Sequence, residues 1–151
     1  MNNIKMEDTI LEFRGKYRFL SNFYITDTPN IIIYEDMEFA TTEHAYQAAK
    51  SIDHEDRIMI QMAATPGVAK RLGRKITIRE DWNDVKLNVM RDLLKQKFKH
   101  PELKLKLLAT GKIPIIEGNT WGDTYWGVCK NIGTNYLGKL LMELREKLRV
   151  S

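Results

Sequence analysis

Helical periodicity recurs through most of the chain after residue 41, whereas extended patterning is concentrated in the first forty residues. That division limits the possible folds more than any other feature. Asp81 is placed to cap a helix running to about residue 99. In it Val85, Val89, Met90, Leu93 and Leu94 follow the 3.6-residue period, and Phe98 closes the stripe. Two further helices are expected over residues 42–51 and 55–64. Pro66 opens a short one ending near Gly73, and Pro101 opens another that Gly111 stops. Thr134 is placed to cap a last helix with the stripe Leu137, Leu140, Leu141, Leu144 and Leu148, supported by Glu143 and Lys147 at i, i+4. Ahead of these, residues 10–13 alternate weakly, residues 19–25 are rich in aromatics, and residues 31–34 form a β-branched run after a Pro29-Asn30 turn. Glu35-Asp36 turns the chain into a second short strand at 37–40, and residues 113–116 are a further strand candidate. The expected architecture is α+β: one helix-rich domain over residues 1–151, with a small antiparallel sheet packed by about six helices.

Composition narrows the class. With 43% hydrophobic and 29% charged residues, the chain reads as a soluble globular protein. Its longest apolar runs are far too short to cross a bilayer, and the N-terminus lacks the pattern of a signal peptide, so no membrane partner and a cytoplasmic location are expected. One cysteine, Cys129, excludes an internal disulfide framework, and three scattered histidines argue against a structural zinc site. A net charge of +4 favours phosphates, nucleotides or nucleic acid by long-range attraction without demanding any of them. Lys95, Lys97, Lys99, Lys104, Lys106 and Lys112 read most simply as a solvated helix face.

Chemistry concentrates in three places. The first is Thr41-Thr42-Glu43-His44-Ala45-Tyr46-Gln47-Ala48-Ala49-Lys50, the opening of a helix with a threonine cap. One stripe of it carries Glu43, Gln47 and Lys50, with Tyr46 and His44 nearby. Glu43 and Lys50 point the same way but lie roughly 10 Å apart along the axis, a separation that a ligand can span. Glu43 is equally explained as a first-turn carboxylate stabilised by the helix N-terminus, and Lys50 as a solvated surface lysine. A functional Lys50 requires desolvation, so that its pKa falls and the neutral amine becomes a nucleophile.

The second place is the segment from Phe13 to Tyr24, where Arg14, Lys16 and Arg18 alternate with aromatics and precede Ser21-Asn22. Such a pattern either holds phosphates while rings stack on a base, or anchors a core beside a turn. The third is Glu117-Gly118-Asn119-Thr120-Trp121-Gly122-Asp123-Thr124-Tyr125-Trp126-Gly127, where glycines let backbone and carboxylate approach a ligand closely, or where Asp123 merely caps its own loop. Gly133-Thr134-Asn135-Tyr136-Leu137-Gly138 adds a loop feeding a helix N-terminus.

Taken together, these motifs resemble the YbiA-like, or NADAR, family. The residues that carry the likeness are Phe19-Leu20-Ser21-Asn22-Phe23-Tyr24, Thr42 through Lys50, Ala69-Lys70-Arg71-Leu72-Gly73-Arg74, Asp81-Trp82, Val85-Lys86, Met90, Asp123-Thr124-Tyr125-Trp126-Gly127 and Asn135 through Arg145. The resemblance spans nearly the whole chain in the family's order. It implies an N-glycosidase that cleaves a ribose C1–nitrogen bond, in phosphorylated ribosylamino-pyrimidine intermediates of riboflavin synthesis or in ADP-ribosylated guanine. It also implies catalytic roles for Glu43, Trp82 and Asp123, with Lys50 as covalent participant. On this reading Glu43 stabilises the cationic sugar, Asp123 transfers the proton, and Lys50 forms a Schiff base with C1. Trp82 stacks on the base or walls the pocket. Arg14, Lys16 and Arg18 are phosphate candidates, while Asn22, Tyr46, Gln47, Trp126 and Asn135 are candidates for other substrate contacts. Gly118 and Trp121-Gly122 depart from the family's usual loop, which bears on substrate preference. The expected partner is a small ribosyl or ADP-ribosyl substrate, with nucleic acid as a carrier of ADP-ribosylated bases; no metal or other cofactor is required. The alternative is a non-catalytic module binding ADP-ribose, NAD or nucleic acid.

Overall fold

The computed structural model describes residues 8–26, 28 and 31–151. The Pro29-Asn30 turn expected from the sequence lies outside them. Six α-helices and one antiparallel strand pair are formed among the described residues, in agreement with the α+β expectation. The chain divides into two compact units, residues 22–100 and residues 1–21 with 101–151.

In the first unit, β1 (Ile32–Tyr34) and β2 (Met37–Phe39) pair with Ile32 opposite Phe39 and Tyr34 opposite Met37. The connecting residues Glu35 and Asp36 both adopt positive φ, 45° and 65°, as a two-residue hairpin turn of the right twist requires. Arg57 reaches that turn: its guanidinium donates to the Glu35 carboxylate, and its Nε donates to the Ser51 carbonyl at 2.8 Å. On the other flank Gln96 acts as a surrogate strand partner. Its amide accepts from the Ile33 N–H and donates to the Ile33 carbonyl, both at 2.7 Å, which satisfies an edge that would otherwise be left open.

Four helices complete this unit: α1 (Thr42–Ala49), α2 (His54–Gln61), α3 (Pro66–Gly73) and α4 (Trp82–Lys97). Helix α1 packs against the other three and against the hairpin, and all eight of its residues are buried. Its Ala45, Ala48 and Ala49 allow that close approach, and Thr41 caps it by accepting the His44 N–H at 3.1 Å. Around it lie Ile32, Phe39, Ile60, Met90, Leu93 and Leu94. Helix α4 begins where expected, but the Asp81 side chain does not cap it. Instead Arg79 clasps that carboxylate through Nε and Nη2, at 2.6 and 3.0 Å, and the two-pronged ion pair outcompetes the cap. Lys97, expected on a solvated face, is 3% exposed in the α4 core stripe.

The second unit holds a 3-10 helix (Gly15–Leu20), α5 (Pro101–Ala109) and α6 (Tyr136–Val150). The 3-10 turn replaces the extended structure expected there, with Gly15 at φ 57° and a Tyr17 N–H to Arg14 carbonyl bond of 3.0 Å. Residues 113–116 form no strand; Ile115 makes one isolated parallel bridge to Ile10. Nor does Thr134 cap α6. Asn135 stands at the cap position in the left-handed region, φ 58°, with its side chain turned to the loop instead. The α6 stripe is buried at Leu137, Leu140 and Leu141, but its next buried position is Arg145 rather than Leu144. Arg145 donates to Thr110 Oγ1 at 3.0 Å and the Ile113 carbonyl at 2.8 Å. No helix among the described residues is long and apolar enough to cross a membrane.

Candidate functional site

A wholly buried helix ought to be apolar, and α1 is not. Its Glu43 (6% exposed) and Gln47 (3%) must find partners inside, because an unpaired buried carboxylate is expensive. One turn apart, they find each other: Gln47 Nε2 donates to Glu43 Oε1 at 2.7 Å. The Glu43 N–H donates to the Asn22 carbonyl at 3.1 Å, which fixes the first turn against the preceding segment. Two buried acceptors near these contacts have no protein donor, Gln47 Oε1 and Asn22 Oδ1. Gly73 is why Gln47 fits: a Cβ there would lie 1.9 Å from Gln47 Oε1.

His44, on the same helix, is consumed structurally. Its Nε2 lies 3.0 Å from the Ala63 carbonyl, a partner that only accepts, so Nε2 carries the proton. Nδ1 is then left to accept from the Thr41 hydroxyl at 2.7 Å.

Lys50 closes the helix as its C-terminal cap residue, and its carbonyl accepts the Arg79 N–H at 2.7 Å. Its Nζ sits 5.4 Å from the centre of the Tyr46 ring, and Tyr46 in turn packs on Trp82, centroids 5.3 Å apart and tilted by 53°. Trp82 itself is buried, 7% exposed. Burial is the leading influence on the Lys50 ammonium and lowers its pKa below the ordinary lysine value. Glu43 opposes this, while Lys70, Arg74 and Lys86 reinforce it. Thus the desolvation that the sequence argument demanded of Lys50 is present. Lys70, Arg74 and Lys86 lay inside the motifs that carry the family likeness, but sequence reasoning assigned them no role.

The remaining candidates belong to the other unit. Asp123 Oδ1 accepts the N–H groups of Tyr125 and Trp126 at 3.1 and 2.9 Å, so the carboxylate caps its own loop. Asn119, which sequence reasoning did not single out, organises that loop: Oδ1 accepts the Asp123 N–H at 3.0 Å, and Nδ2 donates to the Asp123 carbonyl at 2.8 Å. Trp126 is half-buried and stands edge-on to Tyr125, centroids 4.8 Å apart. Asn135 has its amide engaged at both ends, accepting the Glu117 N–H at 3.0 Å and donating to the Ile115 carbonyl at 2.9 Å. Arg14, Lys16 and Arg18 are exposed, with Lys16 5.0 Å from the Tyr17 ring centre and Arg14 3.8 Å from Glu12. Cys129 is a buried free thiol.

The central helix of this helix-rich α+β protein therefore carries a buried carboxylate, Glu43, and is followed by a partly buried lysine, Lys50. The pattern of the NADAR domain matches residues 12–149, and the chain belongs to that family. It is 40% identical to N-glycosidase YbiA of Escherichia coli strain K12, over 96% of this chain and 92% of that protein. It is likewise 40% identical to N-glycosidase Npun_R5314 of Nostoc punctiforme, over 88% of this chain and 86% of that one. A longer protein, riboflavin biosynthesis protein VVA0006 of Vibrio vulnificus, is 35% identical across 87% of this chain, which corresponds to 35% of its own length. The solved NMR structure of E. coli YbiA superposes with a TM-score of 0.80 at 38% identity, covering 97% of this chain and 88% of that one.

Proposed function

We propose that this chain is an N-glycosidase acting on a ribosylated base, with Glu43 and Lys50 on α1 as its catalytic pair. The observation that carries the reading is the state of α1: a fully buried helix that retains a carboxylate held by Gln47 and ends in a lysine with a lowered pKa. Structural economy would have replaced both groups with apolar side chains. Relatives named N-glycosidase, similar over nearly all of the chain, support the reaction class, and one named for riboflavin biosynthesis supports a ribosylamino-pyrimidine phosphate as substrate.

The chemistry follows from the groups. Departure of the base leaves positive charge on C1 and the ring oxygen, and the Glu43 carboxylate stabilises it where water is scarce. The neutral Lys50 amine attacks C1 and forms a C–N bond; the C1–base bond breaks, and the nitrogen leaves with the electron pair and a proton. The ring C1–O bond then breaks, its electron pair stays on the oxygen, and that oxygen takes up the second amine proton as C=N forms. Water hydrolyses the resulting Schiff base to free sugar and regenerated amine. ADP-ribosylated guanine presents the same bond and is the second substrate to test.

Turnover of a ribosylamino-pyrimidine phosphate and of ADP-ribosylated guanine should fall at least a hundredfold in Glu43→Gln and Lys50→Ala. Undiminished activity in both would sink the assignment. Tight binding of the intact compound without cleavage by the wild type would favour a non-catalytic module.

A further inference from the structure

Within the unit of residues 22–100, a cavity of about 10 Å³ lies at the N-terminal end of α1, room for one water-sized body. Its walls include Thr26, Ile32, Thr41, Thr42 and Lys97. Thr41, Thr42 and Lys97 are buried, so their polar groups depend on protein partners or on an occupant of the cavity. Among the described residues no carboxylate lines it.

A helix leaves its first N–H groups without intrahelical acceptors, and each must go somewhere. In α1 the Glu43 N–H donates to the Asn22 carbonyl and the His44 N–H to Thr41 Oγ1. The Thr41 and Thr42 N–H groups have no acceptor among the described residues, and the Thr42 hydroxyl has no hydrogen-bond partner there either. Thr41 Oγ1 offers no compensation, being engaged with both the N–H and Nδ1 of His44. The first-turn carboxylate, Glu43, is turned along the helix to Gln47. Lys97 brings an ammonium whose three N–H donors serve several partners at once, the Phe98 ring at 5.2 Å among them. Two N–H groups, a hydroxyl and an ammonium make the wall rich in donors. A water molecule there must donate as well as accept, whereas an anion only accepts. The start of a helix and a lysine both favour negative charge besides. Burial depresses the Lys97 ammonium to about 7, so at pH 6 it is charged and poorly hydrated.

We propose that Thr41, Thr42 and Lys97 form a site for one monatomic anion, a chloride ion, at the start of α1. The cavity has room for a single atom, not for the four oxygens of a phosphate. Thr42 and Lys50 stand at opposite ends of α1, roughly 12 Å apart along its axis, so the site takes no part in holding a substrate sugar. It is therefore independent of the reaction assigned to Glu43 and Lys50. Bound chloride satisfies the open donors of the first turn and ties the stability of the helix that carries Glu43 to chloride concentration.

The test is urea unfolding of the intact protein at pH 6 and fixed ionic strength, with chloride replacing the bulky gluconate ion. For a site with a dissociation constant of about 20 mM, roughly 200 mM chloride raises the folding equilibrium constant about tenfold. Thr42→Val, which removes the hydroxyl and keeps the volume, should cut that rise to about threefold or less, and Lys97→Met should abolish it. Thr42→Ser should retain it. Lys95→Met, which removes an exposed charge from the same helix as Lys97, should leave it unchanged. Each protein is compared with itself in the two salts, so a variant of lower stability still gives a reading. In crystals soaked in bromide, an anomalous peak between Thr42 and Lys97 would show the ion in place, and an ordered water there instead would count against it. Equal stability in chloride and gluconate, or an undiminished rise in Lys97→Met, would overturn the proposal. Sulfate acting as strongly as chloride, and losing that effect in the same two variants, would overturn the monatomic assignment.

Discussion

Replacing Gly73 with alanine sets two rules against each other. Gly73 is the last residue of α3 and does not need a positive φ, so propensity alone predicts a gain of up to about 1 kcal/mol. The surroundings predict the opposite. The new Cβ would stand 1.9 Å from Gln47 Oε1, 2.8 Å from its Cδ and 3.3 Å from its Cβ, so the whole side chain must move. Gln47 is 3% exposed on a fully buried helix and has little room to retreat. Moving it breaks the 2.7 Å bond to Glu43, a loss of about 1.5–3 kcal/mol for a charged acceptor, and overpacking adds roughly 1–3 kcal/mol. The net expectation is destabilisation by roughly 2–5 kcal/mol, or a melting temperature lower by about 5–15 °C. Gly67→Ala is the control: on the same helix, its Cβ would meet only Thr65 Oγ1 at 3.8 Å, and propensity should prevail. Urea and thermal denaturation of both variants read the sign. Truncating Gln47 to alanine in the Gly73→Ala background should remove the overpacking share of the penalty, since the clash then has no second party, but not the share that comes from the lost bond to Glu43. A Gly73→Ala protein as stable as wild type, with activity intact, would refute the view that Gly73 exists to admit the Gln47 amide.

Two further outcomes follow from the same geometry. Burial depresses the Lys97 ammonium from 10.5 to about 7, so between those values the unfolded chain binds more protons than the folded one and stability rises with pH. Lys97→Met should therefore be more stable than wild type below pH 7, by a few kcal/mol, with the advantage shrinking as pH approaches 10; parallel stability–pH curves from urea melts would contradict this. Asp123→Asn keeps an oxygen to accept from the Tyr125 and Trp126 N–H groups, so the loop and the melting temperature should hold. If the charge serves proton transfer, its kcat falls at least tenfold with that fold intact, and unchanged kcat would leave Asp123 a loop cap alone.

The sequence exposed much of this fold because strong local signals agreed with the tertiary outcome. Thr41 capping α1, Pro66 opening α3 and the Glu35-Asp36 hairpin were all legible from local chemistry. It failed where a side chain had a better offer from elsewhere. Asp81 left its helix for Arg79, and Thr134 yielded the cap position of α6 to Asn135, whose left-handed backbone turns the chain into the helix. The first forty residues read as extended structure with turns, whereas the left-handed Gly15 and short-range bonds make a 3-10 turn over residues 15–20. At the site, Glu43, Gln47 and Lys50 were legible as an unusual stripe. Their burial was not, because it comes from α2, α3, α4 and the hairpin packing around α1. Lys97 shows the same limit from the other side: a lysine in a basic run reads as solvated until its neighbours enclose it.

Covalent trapping tests the central claim most directly. Wild type, Lys50→Ala and Glu43→Gln are each mixed with the ribosylamino-pyrimidine phosphate in borohydride, and intact mass and peptide mapping follow. The account predicts one reduced pentosyl phosphate on wild type, mapped to Lys50, none on Lys50→Ala, and a strongly reduced yield on Glu43→Gln. Full turnover by Lys50→Ala, with no adduct on the wild-type protein, would contradict it.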